Sequence, residues 1–593
     1  MTIRRHVLVA IVATAAAALL LGGPAAAQEV KAEEHILPNG MKLLLVHRPD
    51  EPSVSAGWVA KVGSVNERVG ITGISHLFEH MMFKGTTTLG SKDPKRDLEI
   101  IAEQETLRDE MRAEESKMRA AWRRGDVDDI TKPESKTARY KELEAKFDLL
   151  VKEQRDLLVK NEFDRIYTKN GASGMNAFTT NDLTAYFITV PKNKLELWFW
   201  MESDRLKDPV FREFYAERDV VYEERRLRVE STPTGKLDEA FESIFWHSTP
   251  YTWPVIGYAS DVANITKAQA DDYFATYYAP NNLTAVLVGN FDRAEALKLA
   301  NDYFGRIPRG KVAPPEVVTL PTKWEYDLLL EGEADTNPTA EIRWHTVPFQ
   351  HKDSYALSVL AELLNGRTGR LYKAMVLPAD AVATQASASH NSFGAPGKYA
   401  GSFTFGAEVK EGKTPAEVAA KALAEIERLK KEPVPVDELQ KVKNNIAAGS
   451  FRRLSSNFPI LVQLMVNEAY GDWQEMNTGP KKLEAVTAAD VQRVAKTYLV
   501  KENQATMLVS RKAGSAPSAE DAALADVPEQ IRPMIKQSLQ RLGAETDAAK
   551  LKDGIAKMEA QSAQVPPEMK KGFDLLVAKA KERLAELETA GKK

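Results

Sequence analysis

The sequence predicts an α+β fold of two similar units, each a mostly antiparallel sheet covered by helices. Three observations carry this. Short segments of strand period alternate with longer segments of helical period. The same order of strands and helices restarts after the Pro-rich stretch Val312-Ala-Pro-Pro-Glu316, which reads as a linker. The composition, 43% hydrophobic and 28% charged over 593 residues, is globular, and the length allows about two to four domains. Disordered, collagen-like and polytopic membrane classes are excluded.

Met1-Thr-Ile-Arg-Arg5 leads into an apolar run and then Pro24-Ala-Ala-Ala27, the pattern of a secretory signal peptide cleaved after Ala27. The run is too short for a stable membrane span. No cysteine follows, so a lipid anchor on that residue is excluded; from a Gram-negative source the mature chain is periplasmic. His35 to His47 reads as strand–turn–strand with Asn39-Gly40 as the turn. Ser53–Gly63 is a further strand, and a helical pattern runs from Gly73 through Met82. Between about 92 and 163 two long helical patterns, with stripes Leu107, Met111, Met118, Trp122 and Tyr140, Leu143, Phe147, Leu150, Leu157, form a helical hairpin insertion. Strands at Met175–Thr180 and Thr184–Val190 follow, then helices at Leu195–Arg205 and Arg212–Glu230. A helix capped by Thr266 precedes a strand at Leu283–Gly289 and a helix at Arg293–Phe304. The second round has strands at Thr339–His345, Gly401–Glu408 and Gln504–Ser510, with helices at Ser354–Leu364, Pro415–Lys430 and Val436–Phe451. The expected domains are 28–311 and 318–513, with a helical extension at 514–593.

Lys+Arg 80 against Asp+Glu 84 leaves a net charge of −4, without a one-sign block that could serve as a nucleic-acid arm. The chain has no cysteine and nine histidines. Thiol nucleophiles, disulfides and Cys-type metal sites are therefore excluded, and any metal chemistry must use His, Asp and Glu. His76-Leu-Phe-Glu79-His80 puts two imidazoles one turn apart on one helical face, where they can converge on one ion. Glu79 stands beside that position as a candidate general base, the inverted zinc motif. A catalytic zinc needs a third protein ligand and an open position. Glu217 and Glu224 lie two turns apart on the helix Glu217-Arg-Asp-Val-Val-Tyr-Glu-Glu224. One of them can bind the ion while the other supports a histidine ring.

His76-x-x-Glu79-His80, Asn176-Ala-Phe-Thr179, Glu217-Arg-x-Val-Val-x-Glu-Glu224 and Tyr277-Tyr-Ala-Pro-Asn-Asn-Leu-Thr-Ala-Val-Leu-Val-Gly-Asn-Phe291 resemble the pitrilysin, insulin-degrading enzyme and mitochondrial processing peptidase family, in its two-domain bacterial type. The resemblance covers about residues 34–510 outside the hairpin. It implies a zinc metalloendopeptidase whose two domains form half of a clamshell chamber. One Zn²⁺ per chain is held by His76, His80 and Glu224, with Glu217 as an outer-shell carboxylate. Glu79 is the general base that activates water, and Asn176, Ala177 and Phe178 form the edge strand that takes a peptide substrate as an added strand.

Two departures matter. The His80-to-Glu224 separation is roughly twice the family's usual spacing, a surplus the hairpin accounts for. The Arg and Tyr that family members carry in the second half, contacting substrate, are absent: Val376 and Ala383 occupy those positions, and Arg370 and Tyr372 are read as structural. The resemblance thus implies a homologous partner subunit that supplies the Arg/Tyr pair. Two other readings compete, a non-peptidase structural or assembly subunit and a peptide-binding protein. The intact His76, Glu79, His80 and Glu224 favour the enzyme.

Overall fold

One strand order occurs twice along the chain. The computed structural model describes residues 29–513 apart from 323, 325 and 327, then 524, 527, 531–562, 565 and 567–590. The expected leader, 1–27, lies outside the described residues. The first sheet contains β1 (Glu33–Ile36), β2 (Lys42–His47), β3 (Ser53–Ala60), β4 (Ser173–Thr179), β5 (Thr184–Pro191) and β6 (Leu283–Gly289), in the order β1-β2-β6-β3-β5-β4. The second contains β7 (Leu328–Ala334), β8 (Thr339–Thr346), β9 (Ala383–His390), β10 (Gly401–Val409) and β11 (Gln504–Arg511), in the order β7-β11-β8-β10-β9. Apart from the extra β1 the two orders superpose strand for strand. Each has one parallel pair, β2 with β6 and β7 with β11, and antiparallel pairs elsewhere. This is the repeated unit expected from the sequence.

β10 alternates buried and half-buried residues along its length, whereas every residue of β6 is buried. A strand buried on both faces needs cover on both. In the first unit helix α1 (Ile74–Met81) meets the sheet at β5, where the Tyr186 hydroxyl donates to the Phe78 carbonyl, and its Phe78 ring packs against Tyr273 and Tyr278. The hairpin follows as α2 (Pro94–Arg124) and α3 (Ala138–Leu157), and α4 is Phe214–Arg225. One cover comes from far along the chain: α5 (Asn457–Tyr470) lays Ile460, Leu461, Leu464 and Met465 against Leu44, Val46, Val59, Val286 and Val288. Glu468 on α5, buried, receives Lys42 at 2.9 Å and Lys61 at 2.7 Å.

The compact units accordingly do not follow chain order. The first takes the chain up to Val220, then Val255–Glu316 and Lys443–Ala485; the second takes Val221–Pro254, Val317–Val442 and the chain from Val486 onward. Continuous domains at 28–311 and 318–513 are what local periodicity suggests, because periodicity carries no record of which sheet a helix covers. In the second unit, Phe245 from the borrowed segment stacks on buried His345 at 4.0 Å. Described residues of the expected C-terminal extension form helices Arg532–Ala544, Ala548–Gln561 and Pro567–Ala590, joined by small apolar clusters around Ile535 and Leu551.

In the hairpin, Gln104, Arg108, Met111, Met118 and Leu143 are buried, but Trp122 is 52% exposed. The expected stripe therefore ends short of the turn, where α2 runs on past its partner.

Candidate metal centre

α1 starts abruptly. Gly73 has φ +90°, and a Cβ there would stand 2.6 Å from the Ile256 carbonyl oxygen. The buried carboxylate of Glu67 accepts the first free amides of the helix, Gly73 N–H and Ser75 N–H, each at 2.8 Å. Burial pushes the Glu67 carboxyl up to about 8, and nearby Asp261 adds to this against the hydrogen bonds from Ser75 and Gly73. The helix is thereby fixed in place and angle before its chemistry-bearing residues begin.

His76 is buried, His80 is 23% exposed, and their rings lie 5.0 Å apart at 73°. α4 runs unbroken from Phe214 to Arg225 and returns a carboxylate to them. One ligand atom each from His76, His80 and Glu224 lies within 4.8 Å of the others. Two imidazoles and a carboxylate are a catalytic zinc donor set, leaving a fourth position open. Glu224 also pairs with Arg228 at 2.7 Å, an arginine that is 67% exposed. Such a surface pair is worth little and yields readily to a divalent cation. The residues fit a zinc ion.

Glu217 stands behind His80. Its Oε1 lies 2.9 Å from His80 Nδ1, and its Oε2 lies 2.5 Å from Lys84 Nζ. With Nδ1–H donated to the carboxylate, Nε2 is the nitrogen left for a metal. Burial alone would raise the Glu217 carboxyl, but hydrogen bonds from His80 and Lys84 outweigh it and hold the group at about 2. It is a full negative charge at neutral pH. Glu223, which the helical angle turns away, pairs instead with exposed Arg226.

Glu79 accepts a hydrogen bond from Thr179 Oγ1 at 2.7 Å. That ties the base candidate to the end of β4, one of the two terminal strands of the sheet among the described residues. Asn176, Ala177 and Phe178 all lie on this strand. Asn176 is exposed, Ala177 buried and Phe178 half-buried against Phe187. A cavity of 430 Å³ lies alongside, lined in part by Glu79, His80, Phe83, Asn176, Ala177 and Glu217. Sequence reasoning missed Thr179 and Lys84 as contributors. Thr179 stood inside the matched Asn176–Thr179 motif, whereas nothing in the sequence signalled Lys84. In the second unit Val376 ends a helical turn and Ala383 opens β9. Arg370 forms a bidentate pair with Glu438 at 3.0 and 2.8 Å, which is a structural use.

Comparison with known proteins places the fold. The sequence model described as "Insulinase (Peptidase family M16)" matches residues 42–106, and the one described as "Peptidase M16 inactive domain" matches 264–446. Both models describe M16 peptidases, and they match separate parts of the chain. Among its relatives, zinc protease PqqE of Helicobacter pylori is 26% identical over 490 residues, covering 80% of this chain and 92% of that protein. A crystal structure of a protease from Helicobacter pylori aligns with TM-score 0.65 and 22% identity, over 82% of this chain and 100% of that one. The periplasmic protease PqqL from Escherichia coli aligns with TM-score 0.59 and 18% identity, over 83% of this chain and 49% of that one. At these identities the two structures speak for the fold. No helix among the described residues is long and apolar enough to cross a membrane.

Proposed function

We propose that the chain is a zinc metalloendopeptidase that hydrolyses peptides or unfolded polypeptide segments. The observation that carries the reading is the convergence of His76, His80 and Glu224, with Glu79 on the same helix as both histidines. A zinc ion, when bound, supplies Lewis-acid polarisation of the scissile carbonyl and lowers the pKa of water. Glu79 then takes a proton from the attacking water and delivers it to the leaving amine as the C–N bond breaks. Thr179 holds the Glu79 carboxylate in line for both transfers. The Asn176–Phe178 edge receives the substrate as an extra strand, which selects extended backbone more than sequence.

The chain acts in the periplasm after removal of residues 1–27, in keeping with the described location of PqqL. It works with a homologous subunit that supplies the Arg and Tyr replaced here by Val376 and Ala383. That this chain spans about half of PqqL supports a two-part assembly. The test is zinc analysis with a fluorogenic peptide assay, on the chain alone and with its partner from the native source. Wild type is expected to hold one zinc per chain, and Glu79→Gln to keep that zinc while losing at least about a thousandfold in kcat. A wild-type chain that binds peptide without zinc and never cleaves it would overturn the proposal.

A further inference from the structure

The root of the helical hairpin grips the start of α4, the helix that carries Glu217 and Glu224. Arg212, two residues before that helix, is buried at 1% exposure against Asp97 of α2 at 0%. Its Nε donates to Asp97 Oδ2 at 2.5 Å, its Nη1 to the Leu89 carbonyl at 2.9 Å and its Nη2 to the Thr86 carbonyl at 2.7 Å. Those carbonyls belong to the loop that leaves α1 just after His80. A Cβ on Gly85 or Gly90 would meet Arg212 Nη1 at 2.9 or 3.0 Å, and both glycines have positive φ. The other Asp97 oxygen accepts from Gln154 of α3 at 2.9 Å, so both hairpin helices reach the same carboxylate.

A second grip follows within one turn. Tyr215, also buried, donates its hydroxyl to Glu105 of α2 at 3.1 Å, while Phe147 of α3 packs on its ring at 5.7 Å. Between the two grips Glu213 adopts φ +52°, a backbone state that a non-glycine residue holds only when its surroundings dictate it. The insertion between the histidines and the third ligand is thus anchored to the helix that bears the ligand.

We propose that the hairpin root is a positioning device for the metal centre. Asp97 acting through Arg212, and Glu105 acting through Tyr215, set the angle at which α4 presents Glu217 and Glu224 to His76 and His80. This rests on the zinc reading above. The test uses full-length Tyr215→Phe and Asp97→Asn, with Leu149→Ala on the exposed hairpin surface as control. Zinc Kd is measured by chelator competition, Tm on the metal-free protein, and peptidase kcat at limiting and saturating zinc.

Tyr215→Phe is expected to weaken zinc about tenfold, as loss of outer support does elsewhere. Its metal-free Tm should stay within about 2 °C of wild type, and its kcat should recover at saturating zinc. Asp97→Asn is expected to weaken zinc further, and the control to change nothing. Zinc Kd within twofold of wild type in Tyr215→Phe overturns the proposal even if Asp97→Asn fails to fold. So does a Kd that rises only in step with a falling Tm. A wild-type chain that binds no zinc overturns the zinc reading itself, a result separate from either.

Discussion

Replacing Glu217 with glutamine removes one charge and almost no volume, and it isolates the support behind His80. In the folded chain this carboxylate accepts from His80 Nδ1 at 2.9 Å and from Lys84 at 2.5 Å, with the side chain only 14% exposed. Its carboxyl is held at about 2, so the substitution deletes a whole negative charge at neutral pH. Hydrogen bonds to a charged group are worth about 1.5–3 kcal/mol. Loss of such support typically weakens metal binding by about ten- to a hundredfold, which is roughly 1.4–2.7 kcal/mol. Lys84 keeps a second carboxylate, Glu213 at 3.6 Å, so it is not stranded, and the metal-free fold, which loses a charge held by two hydrogen bonds, should lose about 1.5–3 kcal/mol. Chelator competition on wild type and Glu217→Gln gives the zinc Kd, and urea unfolding of the metal-free proteins gives the stability. A variant Kd within threefold of wild type refutes the reasoning, as does a metal-free stability equal to that of wild type.

Thr179→Val removes the hydroxyl that holds Glu79 and should lower kcat/KM about tenfold, with zinc Kd unchanged; steady-state kinetics at saturating zinc decides it. Gly73→Ala forces a Cβ onto the Ile256 carbonyl at positive φ and should cost on the order of 3 kcal/mol, read as a lower midpoint in urea unfolding. His345 and His390 are both held at about 3 by burial, which favours the neutral ring. Their folded values lie below the unfolded one, so the unfolded chain binds more protons and the stability they contribute is present above about pH 6.5 and is lost as pH falls toward 3. Between pH 8 and pH 5.5 the pair should remove about 3 kcal/mol, and His390→Asn should halve that slope in urea titrations at stepped pH.

The zinc motif was legible because its chemistry is local: His76, Glu79 and His80 occupy one turn of one helix, and Glu217 and Glu224 two turns of another. The hairpin was legible for the same reason, its period being written along each helix. What could not be read were pairings across the chain. Nothing near Asp97 names Arg212, and nothing near Thr179 names Glu79. β7, β9 and α5 also escaped sequence reading. β9 is Ala-Thr-Gln-Ala-Ser-Ala-Ser-His, too polar and small to show a strand's alternation. α5 has a clear apolar face, but only the three-dimensional structure shows that the surface it meets is built from β2, β3 and β6.

That distant cover has a consequence for how the protein is made. The sheet beside the zinc motif is fully specified by residue 289, yet one of its faces, with Val46, Val59, Val286 and Val288, waits for Ile460, Leu464 and Met465. A chain emerging from the ribosome carries that apolar face open while roughly 170 further residues follow, a state prone to association with other chains. A fragment ending near the linker would hold every metal ligand and still present a bare sheet to solvent. Completion of the N-terminal half is therefore an event of the C-terminal half, reached only once the chain through Tyr470 has been delivered.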